Sequence, residues 1–138
     1  MIAVYNLFPR GQGFSMSRVA VIGASSNRGK FGNKAVRAYL KRGYEVFPVH
    51  PAQSAVEGLS CVPSIGMLAS DLDIVSVYVA PSVLVGLLPE IAEKGCGELW
   101  LNPGTESPDV LERAKELGLN VIQGCSIVSL GFSPSQFP

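Results

Sequence analysis

A short apolar run closed by glycine, Val19-Ala-Val-Ile-Gly23, opens into Ala24-Ser-Ser-Asn-Arg-Gly29-Lys-Phe-Gly32 and then into an amphipathic segment. Strand, glycine-rich turn and helix in that order constrain the chain to an α/β unit whose first turn abuts a helix N-terminus. Such a turn offers free backbone N–H groups and a partial positive charge to a phosphate. Ser25 stands where the dinucleotide fingerprint G-x-G-x-x-G has its second glycine, so the loop is not that fingerprint.

The rest of the chain repeats the alternation. Arg18–Ile22 reads as a strand buried on both faces. A helix is predicted over Lys30–Arg42, with Phe31, Ala35, Val36, Tyr39 and Leu40 on its apolar face and Gly43 closing it. Strands are predicted at 45–49, 73–79 and 98–101, with another beginning at 120–122. Helices are predicted through Lys94 and from Pro108, the latter capped by Ser107, with Val110, Leu111, Ala114 and Leu117 inward. Pro89 predicts a kink or a new helix start. Residues 52–72 show little period beyond a short helical turn near 64–68, and 131–138 read as irregular. The expectation is a Rossmann-like three-layer domain built on a parallel sheet of about five strands. Ligands of such sheets bind at the carboxyl ends of the strands.

Those ends form the candidate rim: Gly23–Gly32, His50-Pro51, Ala80-Pro81-Ser82 and Asn102-Pro103-Gly104. In the first loop Gly23, Ala24 and Gly32 give close backbone access. Ser25, Ser26, Asn27, Arg28 and Lys30 supply hydroxyls, an amide and two cations suited to a polyphosphate. The alternative is a solvated loop whose glycines only make a turn. A bulky residue at Gly23 is expected to block phosphate approach without unfolding the sheet. An NAD site usually has Asp or Glu after the second strand to hold the ribose; this chain has His50 there. His50 is either a ligand contact or a cap. Pro51 and Pro81 either wall an adenine or only end their strands.

Val-Ile-Gly-Ala-Ser, the Phe-Gly before the helix, Gly43-Tyr-Glu-Val-Phe-Pro-Val-His-Pro51, Leu99-Trp-Leu-Asn-Pro-Gly104 and Gly124-Cys125 together carry a family pattern. Over residues 17–130 the chain resembles small bacterial and archaeal CoA-binding proteins, which are similar to the N-terminal CoA-binding domain of the succinyl-CoA synthetase α subunit. The resemblance implies the coenzyme A pyrophosphate at Gly23–Gly32 and the adenine end near His50-Pro51. Pantetheine would run past Ala80–Ser82 toward Asn102. The chain departs from the family in having His50 where Asn is usual and Asn102 where Gln is frequent. The family also commonly has a short helix before the first strand.

The 138 residues are 47% hydrophobic, enough for one domain with a full core. Eleven basic residues balance eleven acidic ones, so there is no basic field for nucleic acid or an anionic membrane. Three cysteines (Cys61, Cys96 and Cys125) lack zinc spacing and suit a reducing cytoplasm. No metal site is expected. Residues 1–16 read as an N-terminal extension, with no charged start typical of a signal peptide, and 17–138 as the binding domain. One histidine and scattered carboxylates assemble no convincing catalytic set, so the expected role is a non-enzymatic module binding coenzyme A or an acyl-CoA. The alternatives are an NAD(P)-linked oxidoreductase domain or subunit, or a redox protein pairing the CoA thiol with Cys125. The bland reading of Cys125 is a buried structural thiol.

Overall fold

A computed structural model describes residues 16–138. The expected extension over residues 1–16 therefore lies outside the described residues, apart from Met16.

Five strands, β1 (Arg18–Ile22), β2 (Glu45–Val49), β5 (Ile74–Val77), β6 (Glu98–Leu101) and β7 (Val121–Gln123), form one sheet in the order β2-β1-β5-β6-β7. Every neighbouring pair is parallel. The expected Rossmann-like α/β architecture is the observed one. The strand order reverses direction between β1 and β5. That reversal splays the two following connections to opposite faces and leaves a crevice at their carboxyl ends.

Strand alternation sorts the core. Val19 and Val21 face one layer, with α1 (Phe31–Lys41) and α4 (Ser126–Ser129). Ala20, Ile22, Val75, Val77, Leu99 and Leu101 face the other, with α2 (Pro81–Lys94) and α3 (Pro108–Glu116). Pro48 sits in β2, an edge strand, where a missing N–H costs no central ladder bond. Ser107 caps α3 by accepting from the Val110 N–H, as its sequence position predicts.

Several expectations need correction. On α1 the buried stripe is Gly32, Asn33, Ala35, Val36, Ala38 and Tyr39, while Phe31 and Leu40 are 57% and 38% exposed. Both lie on the flanks of the stripe, Phe31 over the cleft described below and Leu40 beside the β2 edge. Pro89 starts no new helix: α2 runs unbroken from Pro81 to Lys94. Pro89 is exposed, so the carbonyl that loses its helical donor lies on the solvent side. Within the segment that showed little period, β3 (Ala55–Val56) and β4 (Leu59–Ser60) form an antiparallel hairpin. Its two turn residues, Glu57 and Gly58, have φ of +50° and +78°, as a type I′ turn demands. The short turn near 64–68 is observed as a 3-10 helix over Ile65–Met67. The tail is less irregular than expected. A 3-10 turn at Pro134–Gln136 is closed by a reciprocal Ser133–Gln136 capping box, and Phe137 is buried.

Candidate functional site

The reversal of strand order predicts a crevice, and a cleft of about 750 Å³ lies there. Its floor is the end of β1 (Ile22, Gly23), the end of β2 (Val49, His50) and the residues after β5 (Tyr78, Val79, Ala80).

The loop after β1 is held by its own side chains. Ser25 Oγ accepts from the Asn27 N–H at 3.0 Å, and Asn27 Oδ1 accepts from the Gly29 N–H at 3.0 Å. These bonds turn the chain twice and bring it into α1. The N-terminus of α1 has no side-chain cap and no acidic residue in its first turn. Its positive end therefore opens toward the cleft through Lys30, Phe31 and Gly32.

The two glycines at the ends of the loop are structural as well as permissive. Gly23 has φ +88°, and a Cβ there would stand 2.8 Å from the Tyr78 carbonyl oxygen. A Cβ on Gly32 would overlap the Gly23 carbonyl oxygen. The expectation that a bulky residue at Gly23 only blocks the ligand is therefore wrong. Such a residue meets backbone in a left-handed conformation, so it strains the fold.

The predicted rim residues divide. Gly23, Ser25, Lys30, Gly32, His50, Pro51, Ala80 and Gly104 line the cleft. Ala24, Ser26, Asn27, Arg28, Pro81, Ser82 and Asn102 do not. Ala24 is wholly buried beneath the loop. Arg28 turns outward, its Nε 3.3 Å from Glu57 Oε2. Pro81 opens α2 as its first residue, with Ser82 exposed beside it. Asn102 is 1% exposed and spends its amide internally: Nδ2 donates to Ser76 Oγ and to the Val77 carbonyl, and Oδ1 accepts from the Ser126 N–H. It ties β5, β6 and α4 together, while the following Pro103, Gly104 and Thr105 form the rim.

His50 Nδ1 accepts from the Ala52 N–H at 2.9 Å. That bond makes His50 a turn cap and assigns its proton to Nε2. Cap and cleft wall are compatible roles for one ring.

Sequence reading missed the apolar wall opposite the loop. Val83, Leu87 and Glu90 lie on one face of α2, across from Pro63, Ser64 and Ile65. The four- and three-residue spacing on α2 was visible, but it also describes an ordinary core face. Glu90 Oε2 accepts from the Gly66 N–H at 3.0 Å, pinning the 63–67 segment to α2. Tyr78 forms part of the wall between the cleft and a buried polar cluster. Its hydroxyl is buried without a partner in hydrogen-bonding geometry, and burial pushes the phenol well above its usual range. Cys125 does not line the cleft. It packs with the α1-side core just ahead of α4.

Among the described residues no group of three or more His, Cys, Asp or Glu is placed to hold a metal ion. No helix among them is long and apolar enough to cross a membrane.

Comparison with known proteins agrees with the fold. The CoA binding domain family matches residues 17–131. The ADP-forming acetate–CoA ligase II of Archaeoglobus fulgidus is 29% identical over 120 residues, which cover 78% of this chain and 18% of the ligase. The ADP-forming acetate–CoA ligase of Methanocaldococcus jannaschii is also 29% identical, over 83% of this chain and 13% of that protein. The chain thus spans less than a fifth of either ligase. A conserved hypothetical protein of Pyrococcus furiosus is 33% identical and superposes with a TM-score of 0.77, over 83% of this chain and 99% of that one. A fold of this kind thus also exists as a protein of about this domain's size. The chain belongs to the CoA binding domain family.

Proposed function

We propose that this chain binds coenzyme A or an acyl-CoA in the cleft between β1 and β5, as a binding module that performs no chemistry itself. The observation that carries the reading is the uncapped N-terminus of α1, seated against Gly23 and opening into that cleft in a chain of the CoA binding domain family. An anion is the natural partner for such a helix end.

In this reading the diphosphate lies along Gly23–Gly32 against the first N–H groups of α1 and the Lys30 ammonium. The adenine end lies by His50 and Pro51, and the pantetheine crosses Ala80 toward Pro103–Thr105. The apolar surfaces of Val79, Val83 and Leu87 exclude water from whichever part of the ligand they cover. The absence of an acid after β2 disfavours a dinucleotide, whose ribose hydroxyls want a carboxylate acceptor. His50 is already committed at Nδ1, and no hydrogen-bonded nucleophile and base are brought together around it.

Isothermal titration with coenzyme A, acetyl-CoA, NAD and NADP tests the reading. Heat of binding with the coenzyme A ligands and none with NAD is expected. NAD binding as tight as coenzyme A would transfer the chain to the dinucleotide class. Sustained release of free thiol from acetyl-CoA or succinyl-CoA over hours would make it an enzyme instead.

A further inference from the structure

Glu57 is the one described non-glycine residue with positive φ. A type I′ turn at that position favours Gly, which has no Cβ to crowd the backbone, or Asn and Asp, whose short polar side chains hydrogen-bond locally. The turn alone gives no reason for glutamate. The side chain supplies one. Glu57 Oε2 accepts from Asn33 Nδ2 at 3.0 Å and lies 3.3 Å from Arg28 Nε. Asn33 is wholly buried, and the same Nδ2 donates to the Ser25 carbonyl of the first loop at 2.8 Å. The carboxylate therefore stands directly behind the loop, joined to it through one nitrogen. It also holds one of the two cations that the loop carries.

We propose that Glu57 is a built-in competitor for the phosphate loop: it draws Arg28 aside, and a diphosphate that binds must take Arg28 from it. This deepens the reading of the loop as a diphosphate site and rests on it. The Arg28–Glu57 contact is a single Nε approach, with side chains 59% and 21% exposed. A pair of that kind is weak and screened by salt. Phosphate oxygens offer the guanidinium a better, two-pronged partner. The two attractions are close enough in size to compete, so the hairpin adjusts how much Arg28 adds to affinity. The uncapped end of α1 and Lys30 are unaffected by the exchange. The hairpin thereby favours ligands that carry enough phosphate charge to win Arg28, and it disfavours singly charged anions.

The test is a double-mutant cycle read by titration, with inorganic pyrophosphate and coenzyme A as probes. Glu57→Gln keeps an oxygen acceptor for Asn33 and removes the charge. Glu57→Asn suits the positive φ and cannot reach Arg28, so it guards against a folding artefact in the first variant. Both variants should bind either probe roughly two- to fivefold more tightly at low salt, with the gain shrinking as salt rises. Arg28→Ala should cost less than about twofold in the wild-type background and remove most of the gain in the Glu57→Gln background. An equal gain with and without Arg28 would overturn the proposal, because the carboxylate would then act on the ligand directly. No gain in either Glu57 variant would also overturn it. If the wild type binds pyrophosphate but not coenzyme A, the coenzyme reading fails while the cycle still decides the latch. If it binds neither, both fall.

Discussion

Gly32, the second residue of α1, lies so close to the carbonyl of Gly23 that a Cβ at position 32 would overlap that oxygen. The loop therefore closes on itself, glycine against glycine. Backbone meets backbone where the helix end reaches the tip of β1, and the Ser25, Asn27 and Asn33 side chains hold it there. The obstruction is backbone, so no rotamer change relieves it. Gly32→Ala should cost about 1–3 kcal/mol, measured as a shift in the denaturant midpoint. Gly23→Val should be worse, since it adds a left-handed φ to a clash with Tyr78. An unfolding midpoint for Gly32→Ala equal to wild type would show that α1 can slide away from β1. The loop would then not be rigid.

Lys30 lines the cleft, and its ammonium forms no hydrogen bond or ion pair among the described residues. Arg28, by contrast, is engaged by Glu57. The two cations of the loop should therefore separate in experiment. Lys30→Ala should weaken coenzyme A by about 1 kcal/mol and flatten the salt dependence. Arg28→Ala in the wild type should do less. The reverse order, measured by titration at two salt concentrations, would place Arg28 in the cleft and Lys30 in solvent.

Asn102 illustrates what strand-end position does and does not reveal. Its place at the tip of β6 is legible from the sequence, and so is the rim it belongs to. Its side chain, however, turns inward to Ser76, Val77 and Ser126. Asn102→Ala strands the Ser126 N–H and the Val77 carbonyl's share of that network. It should lower stability by about 2–4 kcal/mol. Any loss of ligand affinity should follow the loss of fold. A variant with wild-type stability and no coenzyme A binding would return Asn102 to the ligand.

The five strands of the sheet and helices α1, α2 and α3 are legible because each carries a period or a clear stop, such as Gly43 after α1 or Ser107 ahead of α3, whereas the four residues of α4 are too few to show one. The β3–β4 hairpin is not legible, because Ala55-Val56 and Leu59-Ser60 are too short to show an alternation. The α2 wall was hidden for a different reason: Val83 and Leu87 look alike in sequence whether they cover a core or a ligand. The packing of the tail on α1 joins residues about a hundred positions apart, and no local pattern records such a contact.

Cys96 gives a pH prediction with a definite sign. Burial, with some help from Glu98, pushes its thiol up from 9.0 to about 11. The native state thus holds the neutral thiol where the unfolded chain releases the proton. Its contribution to stability is complete below about pH 9 and is lost between about pH 9 and 11. At pH 8 Cys96 should resist iodoacetamide and oxidised coenzyme A far longer than glutathione does, as read by mass spectrometry of the intact protein. Rapid, complete alkylation of Cys96 in the folded protein at pH 8 would contradict this burial.

Arg37 joins the loop to the tail. Its Nε donates to Asn33 Oδ1 at 2.7 Å, and Nη2 donates to the carbonyls of Arg28 and Phe137 at 2.8 and 3.0 Å. Nη1 reaches the carbonyl of Pro138 at 3.2 Å, and the guanidinium lies over the Phe137 ring. Burial and the neighbouring Arg28 charge lower its pKa, and Glu57 opposes them. One side chain therefore orders the back of the loop while fixing Phe137, which packs edge-on to Phe132. Arg37→Met keeps the apolar stem and removes these bonds. It should cost roughly 1–3 kcal/mol and speed amide exchange in residues 27–30 and 135–138 together. Coenzyme A affinity should fall through loosening of the loop, and saturating ligand should restore much of the lost protection. Faster exchange in the tail with none in residues 27–30 would show that the Arg28 carbonyl contact does not hold the loop, and that Arg37 serves the tail alone.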